Sequence, residues 1–172
     1  MEVLETQLQS VLLIKPHIFE DHRGIYVNTY HNENYKKAFK EREIDIEFVE
    51  DDLSVSRKNV LRGFHGDEKT WKLISCPLGE IYLVILNYNN ESKQYGKWLS
   101  FTLSERNLCQ VIVPPLHGVA HLVLSDRAMF MYKQSAYYNP DILKQFTVKY
   151  NDPRFNVWWP ITNPIISIRD QS

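Results

Sequence analysis

Short apolar runs, separated by turn residues, recur along most of this chain. Residues 81–86 are six consecutive apolar residues, a run too short for a typical helix and characteristic of a strand buried on both faces. The other predicted strands are residues 11–15, 25–27, 44–48, 71–76, 96–99, 109–113, 118–124 and 128–133. Turn residues lie between them, as at 139–141, and the series predicts an all-β sandwich or barrel.

One segment has the period of a helix instead. Tyr35, Ala38 and Phe39 fall at positions i, i+3 and i+4 among lysines and glutamates, so residues 34–42 are predicted to be helical. Residues 44–48 then alternate between apolar and acidic side chains, which is the period of a half-buried strand. The pattern therefore predicts a β-rich fold with one or two short helices.

Length and charge narrow the class of protein. The chain has 172 residues, a net charge of -1 and a pI of about 6.6, so no broad electrostatic attraction to nucleic acid or a membrane surface is expected. No stretch approaches the ~20 apolar residues of a membrane span, and the start carries acids rather than a basic leader. Without internal repeats or a linker, residues 1–172 are predicted to form a single domain in a cytoplasmic protein.

The stretch at residues 59–65 combines a basic residue with an imidazole. Arg62 and His65 lie three positions apart, so in a regular strand their side chains would point to opposite faces. Gly63 lies between them, and glycine inside a strand often marks a bulge that re-aims its neighbours. A kinked strand would turn both side chains into one cavity, whereas the alternative is a surface arginine and a packed histidine.

Other polar residues that could join this pair are scattered over the chain. They are Arg23, Lys72, His117, His121, Tyr132, Lys133, Tyr138 and Asp170. Inward-facing residues of many strands converge in a sandwich or barrel, so such scatter is compatible with a single pocket. Histidine titrates near neutral pH and suits a general base, while tyrosine suits a proton donor, and proton transfer between such groups is the chemistry left open.

The sequence gives weaker support for a metal site or for a nucleophilic catalytic residue. His117 and His121 resemble part of a metal-cupin motif, but no His-x-His pair lies around His65 to complete a three-ligand site, so no metal is expected. Cys76 and Cys109 lie inside apolar runs without metal-ligand spacing, and both are predicted to be buried free thiols. The chain also lacks the glycine-rich motifs of a serine nucleophile elbow and of a dinucleotide site.

Nine short motifs keep a characteristic order over nearly the whole chain. They are Asp21-His22-Arg23-Gly24, Leu61-Arg62-Gly63-Phe64-His65, Trp71-Lys72-Leu73-Ile74, Tyr95-Gly96-Lys97-Trp98, Val119-Ala120-His121, Tyr132-Lys133, Tyr137-Tyr138-Asn139-Pro140, Asn151-Asp152-Pro153 and Ser167-Ile168-Arg169-Asp170. Each is weak alone, but together they resemble the nucleotide-sugar 3,5-epimerase family.

The resemblance implies a metal-independent, cofactor-free jelly roll of the cupin type that works as a homodimer. His65 resembles the base that removes a proton next to a C4 ketone, and Asp170 resembles the carboxylate paired with it. Tyr132 matches the acid that returns a proton from the opposite face. Lys72 is similar to the lysine beside the C4 oxygen, where a fixed positive charge stabilises an enolate.

The resemblance also implies substrate-binding residues. Arg62, together with Arg23 from a partner subunit, resembles a pair of diphosphate ligands, a task that suits the forked guanidinium. The remaining substrate-binding positions are His121, Tyr138, Glu50, Asp52 and Ser54. Among them, His121 matches a second active-site histidine and Tyr138 an aromatic residue that lies against the nucleotide.

Several positions depart from the family pattern. The loop at residues 66–70 is shorter than usual, Leu83 stands where a pocket aspartate is common, and the Gln-Asp-Asn run is Glu50-Asp51-Asp52 here. Asn28 also replaces a glutamate. These changes favour a sugar other than the usual dTDP-linked one, such as a GDP-linked 4-keto-heptose of bacterial capsules.

The predicted function is epimerisation of C3, and of C5 as well, in a nucleotide-diphosphate-linked 4-keto sugar of bacterial surface-polysaccharide biosynthesis. One alternative is a sugar-nucleotide 3,4-ketoisomerase, and another is a non-catalytic jelly roll that binds sugar nucleotides. Each candidate also has a purely structural interpretation when it is considered alone. Tyr132 could be a core residue of a strand, Asp170 a solvated residue near the terminus, and Lys72 a lysine at the surface.

Overall fold

Two antiparallel sheets pack face to face in the computed structural model, which describes residues 1–139 and 144–171. In chain order the elements are β1 (Glu2–Glu5), β2 (Leu12–Lys15), β3 (Ile18–Asp21), β4 (Gly24–Val27), α1 (Asn32–Lys40), β5 (Glu50–Arg57), β6 (Leu61–Gly66), β7 (Lys72–Leu78), β8 (Glu80–Asn87), β9 (Trp98–Ser104), β10 (Gln110–Val113), β11 (His117–Val123), β12 (Arg127–Gln134), β13 (Phe146–Thr147) and a final 3-10 turn, Arg169–Gln171. The prediction of an all-β fold with one or two short helices is confirmed.

The strand order is that of a jelly roll. One sheet has six strands in the order β1-β2-β10-β7-β12-β5, and the other has five in the order β13-β6-β11-β8-β9. Strands β3 and β4 form a separate hairpin. Neighbours along the chain often lie in opposite sheets, so residues far apart in sequence face each other across the sandwich.

The core lies between the sheets and continues behind the five-stranded sheet. Ile81, Leu83 and Ile85 of β8 are fully buried in the cluster between the sheets. Val84 and Leu86 point the other way and are fully buried under the C-terminal part of the chain. The run predicted to be a strand buried on both faces is therefore such a strand.

Helix α1 covers part of the outer face of the six-stranded sheet. Tyr35 and Phe39 pack there on Ile14 of β2 and Ile112 of β10. The helix begins and ends two residues earlier than predicted, at Asn32 and Lys40. No helix among the described residues is long and apolar enough to cross a membrane.

The strand predicted at residues 44–48 is wrong. These residues join no sheet, and the strand β5 begins only at Glu50. Ile44 is buried, and Ile46 and Phe48 pack on the same cluster as the helix. A segment that packs one side against a core can show the same alternation of apolar and polar residues as a strand in a sheet. The alternation therefore indicates which side chains are buried, and not whether the backbone is hydrogen-bonded to another strand.

Four strands and one turn complete the comparison with the predicted elements. Strands β1, β3, β5 and β13 were not predicted, since the first three each contain at least two acidic residues and β13 has only two residues. The turn predicted at residues 139–141 runs into positions outside the described residues, as does Pro140 of the sequence motif.

The β3–β4 hairpin carries an unusual number of exposed apolar side chains. Phe19 is 56% exposed, Ile25 53% and Tyr26 68%. Leu53 and Val55 are also exposed, on the strand β5 at the edge of the six-stranded sheet. Large apolar side chains exposed in this number are typical of a contact with another chain.

A bulge lies at Gly63, in strand β6. Val119 of β11 pairs with His65 of β6, and His121 of β11 pairs with Arg62 of β6. The two pairs are two residues apart on β11 but three residues apart on β6, so β6 contains one extra residue. The extra residue is accommodated at Gly63, where φ is +101° and an added Cβ would overlap the Val119 carbonyl oxygen. The predicted glycine kink is confirmed, and it directs both Arg62 and His65 into one cavity.

Replacing Gly63 by alanine is expected to destabilise the fold more than the same change at Gly96. Gly96 also has a positive φ, but an added Cβ there would make only an ordinary contact with Phe155 at 3.4 Å. The unfavourable backbone should cost about 1–2 kcal/mol at both sites, and overpacking against β11 about 1–3 kcal/mol more at Gly63. Denaturant unfolding of both variants measures the difference, and equal losses would contradict the steric argument.

Candidate active site

A cavity of about 250 Å³ lies between the two sheets. The residues that line it are Asp52, Leu53, Ser54, Arg62, His65, Lys72, Val119, His121, Phe130 and Tyr132. Strands β5, β7 and β12 provide one wall, and β6 and β11 provide the other. Most of the residues predicted from the sequence to form a site therefore meet at one place.

A histidine–carboxylate pair occupies the wall formed by the five-stranded sheet. His65 Nε2 lies 2.9 Å from Asp170 Oδ1, and the Asp170 side chain is almost fully buried. The Ser167 hydroxyl donates to the other carboxylate oxygen, Oδ2, over 2.9 Å, and accepts a hydrogen bond from the Asp170 backbone N–H. The carboxylate is thus fixed behind the imidazole, and Asp170 is not a solvated tail residue.

The second nitrogen of His65 is the one that can accept a proton. A carboxylate oxygen 2.9 Å from Nε2 favours the tautomer that carries its proton on Nε2. That tautomer has its lone pair on Nδ1, which is 3.3 Å from the Thr147 hydroxyl on β13. Burial is the main effect that lowers the pKa of His65, and the charges of Arg169 and Lys72 lower it further against the opposing effect of Asp170. The ring is therefore neutral at pH 7 and able to act as a base.

The pH dependence of catalysis should show this lowered pKa. A neutral base is available above its pKa, so kcat/KM should fall on the acid side with a midpoint below the ordinary histidine value of 6.5. Removing the carboxylate in Asp170→Asn withdraws a group that favours imidazolium, and should move the midpoint to still lower pH while slowing the reaction. Rate profiles of both proteins measure the shift, and a wild-type midpoint above 6.5 would contradict the assignment.

Tyr132 lies on the opposite wall, in strand β12. Tyr132 and Asp52 are direct cross-strand partners, and both side chains line the cavity. Burial, with the nearby Asp52 carboxylate, raises the pKa of Tyr132 to about 12. Tyr132 is therefore a protonated phenol at neutral pH that lines a cavity, rather than a residue buried wholly in the core.

Lys72, at the start of β7, lies beside Tyr132. Its Nζ is 5.8 Å from the centre of the Tyr132 ring. Burial lowers the pKa of Lys72, and the carboxylates of Asp67 and Asp52 oppose that shift. A cation partly removed from water interacts strongly with any negative charge that develops on a bound molecule.

Arg62 brings a second cation to the cavity. Its Nε donates to the Ser56 hydroxyl over 3.1 Å, which fixes the guanidinium on the side of strand β5. Ser54 lines the cavity two residues earlier on the same strand. Arginine and serine placed together in this way suit an anionic group with several oxygens.

His121 is a neutral ring in the cavity wall. It stacks on Phe130 at a centroid distance of 4.0 Å, and burial, together with the charge of Arg62, lowers its pKa to about 3. Its Nε2 is buried and makes no hydrogen bond with the described residues. Leu83, the cross-strand neighbour of His121, is buried in the core and does not line the cavity.

Three predicted binding residues lie outside the cavity lining. Glu50 and Tyr138 lie near its edge, where the Tyr138 backbone N–H donates to Glu50 Oε2 over 3.1 Å. Arg23 lies at the turn of the β3–β4 hairpin, highly exposed and paired with Asp21 at 2.7 Å. Within one chain, Arg23 is not brought to the cavity.

Some residues that shape the site were not singled out by the sequence. Thr147 and Ser167 contact the His65–Asp170 pair, and Gln134 holds two carboxylates next to Tyr132. Their roles depend on cross-strand register, which the local pattern does not show. Phe130 belongs to an ordinary apolar run, and Val119 was noted only as part of the motif with His121, so neither was predicted to line a cavity.

The other reactive side chains do not add to the site. Cys76 and Cys109 are free thiols, with Cys76 buried and Cys109 partly exposed, and burial raises the pKa of both. The His117 ring is bonded through Nδ1 to the Pro115 carbonyl oxygen and lies outside the cavity lining. Within the described ranges, no three His, Cys, Asp or Glu side chains are grouped as a metal ion requires, and the absence of a metal stays a prediction.

Comparison with known proteins gives consistent matches over the whole length. The family model described as dTDP-4-dehydrorhamnose 3,5-epimerase matches residues 5–172. A dTDP-4-dehydrorhamnose 3,5-epimerase of Shigella flexneri is 33% identical, over 99% of this chain and 93% of the relative.

Solved structures agree with the sequence matches. The dTDP-6-deoxy-D-glucose-3,5-epimerase of Legionella pneumophila, in complex with dTDP-4-keto-L-rhamnose, superposes with a TM-score of 0.91 at 31% identity, over 99% of this chain and 89% of that one. A 3'-monoepimerase of Streptomyces bikiniensis, in complex with dTDP-quinovose, gives a TM-score of 0.89 at 26% identity, over 98% and 84% of the two chains.

Proposed function

This chain belongs to the dTDP-4-dehydrorhamnose 3,5-epimerase family, and we propose that it inverts C3 and C5 of a nucleotide-diphosphate-linked 4-keto sugar. The observation that carries the proposal is the placement of a base and an acid on facing walls. His65 projects from the five-stranded sheet and Tyr132 from the six-stranded sheet, with the cavity between them. Inversion of a carbon centre needs this arrangement, since the proton must leave one face and return to the other.

The reaction begins with proton removal. His65 Nδ1 takes the proton from the carbon next to the C4 ketone. The electron pair of that C–H bond forms a double bond to C4, and the π pair of the carbonyl moves onto the C4 oxygen to give an enolate. Lys72 is the cation that stabilises this oxygen. Asp170 holds the imidazole orientation and stabilises the imidazolium that forms.

Proton return completes the inversion. Tyr132 gives its phenolic proton to the opposite face of the same carbon, and the electron pair of the enolate forms the new C–H bond. The pKa of about 12 keeps Tyr132 protonated until this step. The balance is one proton released through His65 and one supplied through Tyr132, with no oxidation or reduction, and the sequence predicts no cofactor.

The nucleotide is proposed to occupy the edge of the cavity. Arg62 takes the diphosphate, with Ser54 beside it, and Tyr138 lies against the base. His121 offers an unpaired Nε2 to a sugar oxygen. The relatives named above act on or bind dTDP-linked sugars, which favours dTDP over the GDP-linked heptose considered from the sequence.

Proton NMR in D2O tests this function. The wild-type protein is mixed with dTDP- and GDP-linked 4-keto-6-deoxyhexoses and with a GDP-linked 4-keto-heptose, and deuterium entry is followed at C3 and C5. We expect deuterium at both carbons with inversion, and deuterium at C3 alone would restrict the activity to that centre. Migration of the ketone to C3 would instead show a 3,4-ketoisomerase. Nucleotide binding without any exchange would show a binding module.

A homodimer is proposed to complete the site. The exposed Phe19 and Tyr26 of the hairpin, and Leu53 of the edge strand, provide apolar surface for a second copy, which would carry Arg23 to the neighbouring diphosphate. Sedimentation velocity should show two chains for the wild type and one for a double variant, Phe19→Asp with Tyr26→Asp. A fully active single chain would contradict this. The cytoplasmic location and capsular pathway stay predictions.

A further inference from the structure

Two carboxyl side chains lie together behind Tyr132. Strands β5 and β12 pair in register, so Asp52 is opposite Tyr132 and Glu50 is opposite Gln134. A single amide nitrogen, Gln134 Nε2, is 2.6 Å from Glu50 Oε1 and 2.8 Å from Asp52 Oδ2. Gln134 is itself buried, so this contact fixes the two carboxyls side by side.

The arrangement forms a chain of polar groups from the cavity to solvent. Tyr132 lines the cavity, and Asp52, its cross-strand partner, lines the cavity next to it. Glu50 follows at the start of the edge strand β5, where it is only partly buried. Glu50, Asp52 and Tyr132 therefore follow one another from the sheet edge to the cavity, with Asp52 between the other two.

We propose that Glu50 and Asp52 are a proton relay that restores the Tyr132 hydroxyl after each turnover. The inference rests on the proposed function, in which Tyr132 loses a proton to the substrate carbon and keeps the electron pair as phenolate. The Asp52 O–H bond then breaks, and its proton forms a new O–H bond on Tyr132. Asp52 regains a proton from water by way of Glu50. His65 releases its own proton to solvent, so the cycle closes without any change in charge or oxidation state.

The local charges favour a proton on Asp52. Burial and the neighbouring Glu50 charge raise the pKa of Asp52, and Asp51 acts in the same direction. The titratable and charged groups that face Asp52 are Glu50, Lys72 and Tyr132. Tyr138 lies near Glu50 and Tyr132, and the weaker effect of Asp51 comes from the other face of β5. A carboxyl with a raised pKa is a suitable donor to a phenolate, because it is protonated more often near neutral pH than an ordinary aspartate.

Asp52→Asn and Glu50→Gln test the relay, since both substitutions keep shape and hydrogen bonding but remove the transferable proton. Asp51→Asn is the matched control, because Asp51 lies between them on β5, points to the other face and pairs with Lys133 at 2.7 Å. The substrate is a dTDP-linked 4-keto-6-deoxyhexose, and dTDP binding and thermal unfolding of each variant are measured first.

The first turnover is compared with the steady state. With enzyme in excess, the rate of inversion should stay within about twofold of wild type in Asp52→Asn, while kcat falls about tenfold or more because a general acid must be restored each cycle. Added imidazole buffer at constant pH and ionic strength should raise the variant's kcat but not that of wild type. Asp51→Asn should behave as wild type.

Other outcomes overturn the relay. An equal loss of single-turnover rate and kcat, without a buffer effect, would mean that Asp52 only shapes Tyr132. A raised KM with unchanged kcat would mean that the two carboxyls bind sugar hydroxyls. If the wild type exchanges no substrate hydrogen with any sugar, the proposed function itself fails, and the relay fails with it.

Discussion

The variant His65→Asn should lose exchange at C3 and C5 entirely within the time of a wild-type assay. The Ser167 hydroxyl still donates to Asp170 Oδ2 in this variant, so the buried carboxylate keeps a partner. Asparagine has no basic nitrogen, however, and loss of a positioned base should lower kcat by about 10²–10⁴-fold. The measurement is proton NMR in D2O with a dTDP-linked 4-keto-6-deoxyhexose.

The control for this variant is His31→Asn. His31 is exposed, precedes helix α1 and lies outside the cavity lining, so exchange should remain at the wild-type rate. Binding of dTDP to His65→Asn should also be preserved, because the base contacts the sugar and not the nucleotide. Exchange at a normal rate in His65→Asn would show that another group removes the proton.

The variant Tyr132→Phe should separate hydrogen exchange from inversion. Phenylalanine keeps the ring beside Lys72 but has no proton to give to the opposite face. His65 can still remove the substrate proton, exchange it with solvent and return deuterium to the same face. We expect deuterium entry with retained configuration, and epimer formation reduced by about 10²–10⁴-fold.

A matched tyrosine provides the control. Tyr137 is highly exposed and lies outside the cavity lining, so Tyr137→Phe should invert both centres normally. If Tyr132→Phe loses exchange and inversion to the same extent, the phenol assists proton removal as well as proton return. Tyr132 would then be more than the donor to the opposite face.

Strand positions were largely predictable because burial on one or both faces leaves a pattern in the sequence. The apolar run in β8 was found in this way, whereas the bulge in β6 was predicted from the glycine inside that strand. Residues 44–48 were assigned to a strand because packing against a helix produces the same alternation as packing in a sheet. Sheet membership depends on hydrogen-bond partners elsewhere in the chain, and the local pattern does not contain them.

The site was predictable as a set of residues, but not as an arrangement. Family resemblance named His65, Tyr132 and Lys72, and the structure brings them to one cavity. It gave no reason to place Gln134 between Glu50 and Asp52, since that contact follows from the register of β5 on β12. The resemblance also named Arg23 as a diphosphate ligand, but within one chain Arg23 lies outside the cavity lining.

The location of the base and the acid on different sheets bears on how such enzymes diverge. Sheets in a β-sandwich stand roughly 10 Å apart, a spacing that the packed core maintains whatever the pocket rim contains. The spacing between the base and the acid, which determines the stereochemical outcome, is therefore set by the fold. Residues at the edge of the pocket, on β5 and in the loops, can be substituted without changing that spacing. Descendants of one ancestor could therefore acquire new sugars or nucleotides without first rebuilding the machinery that inverts a carbon.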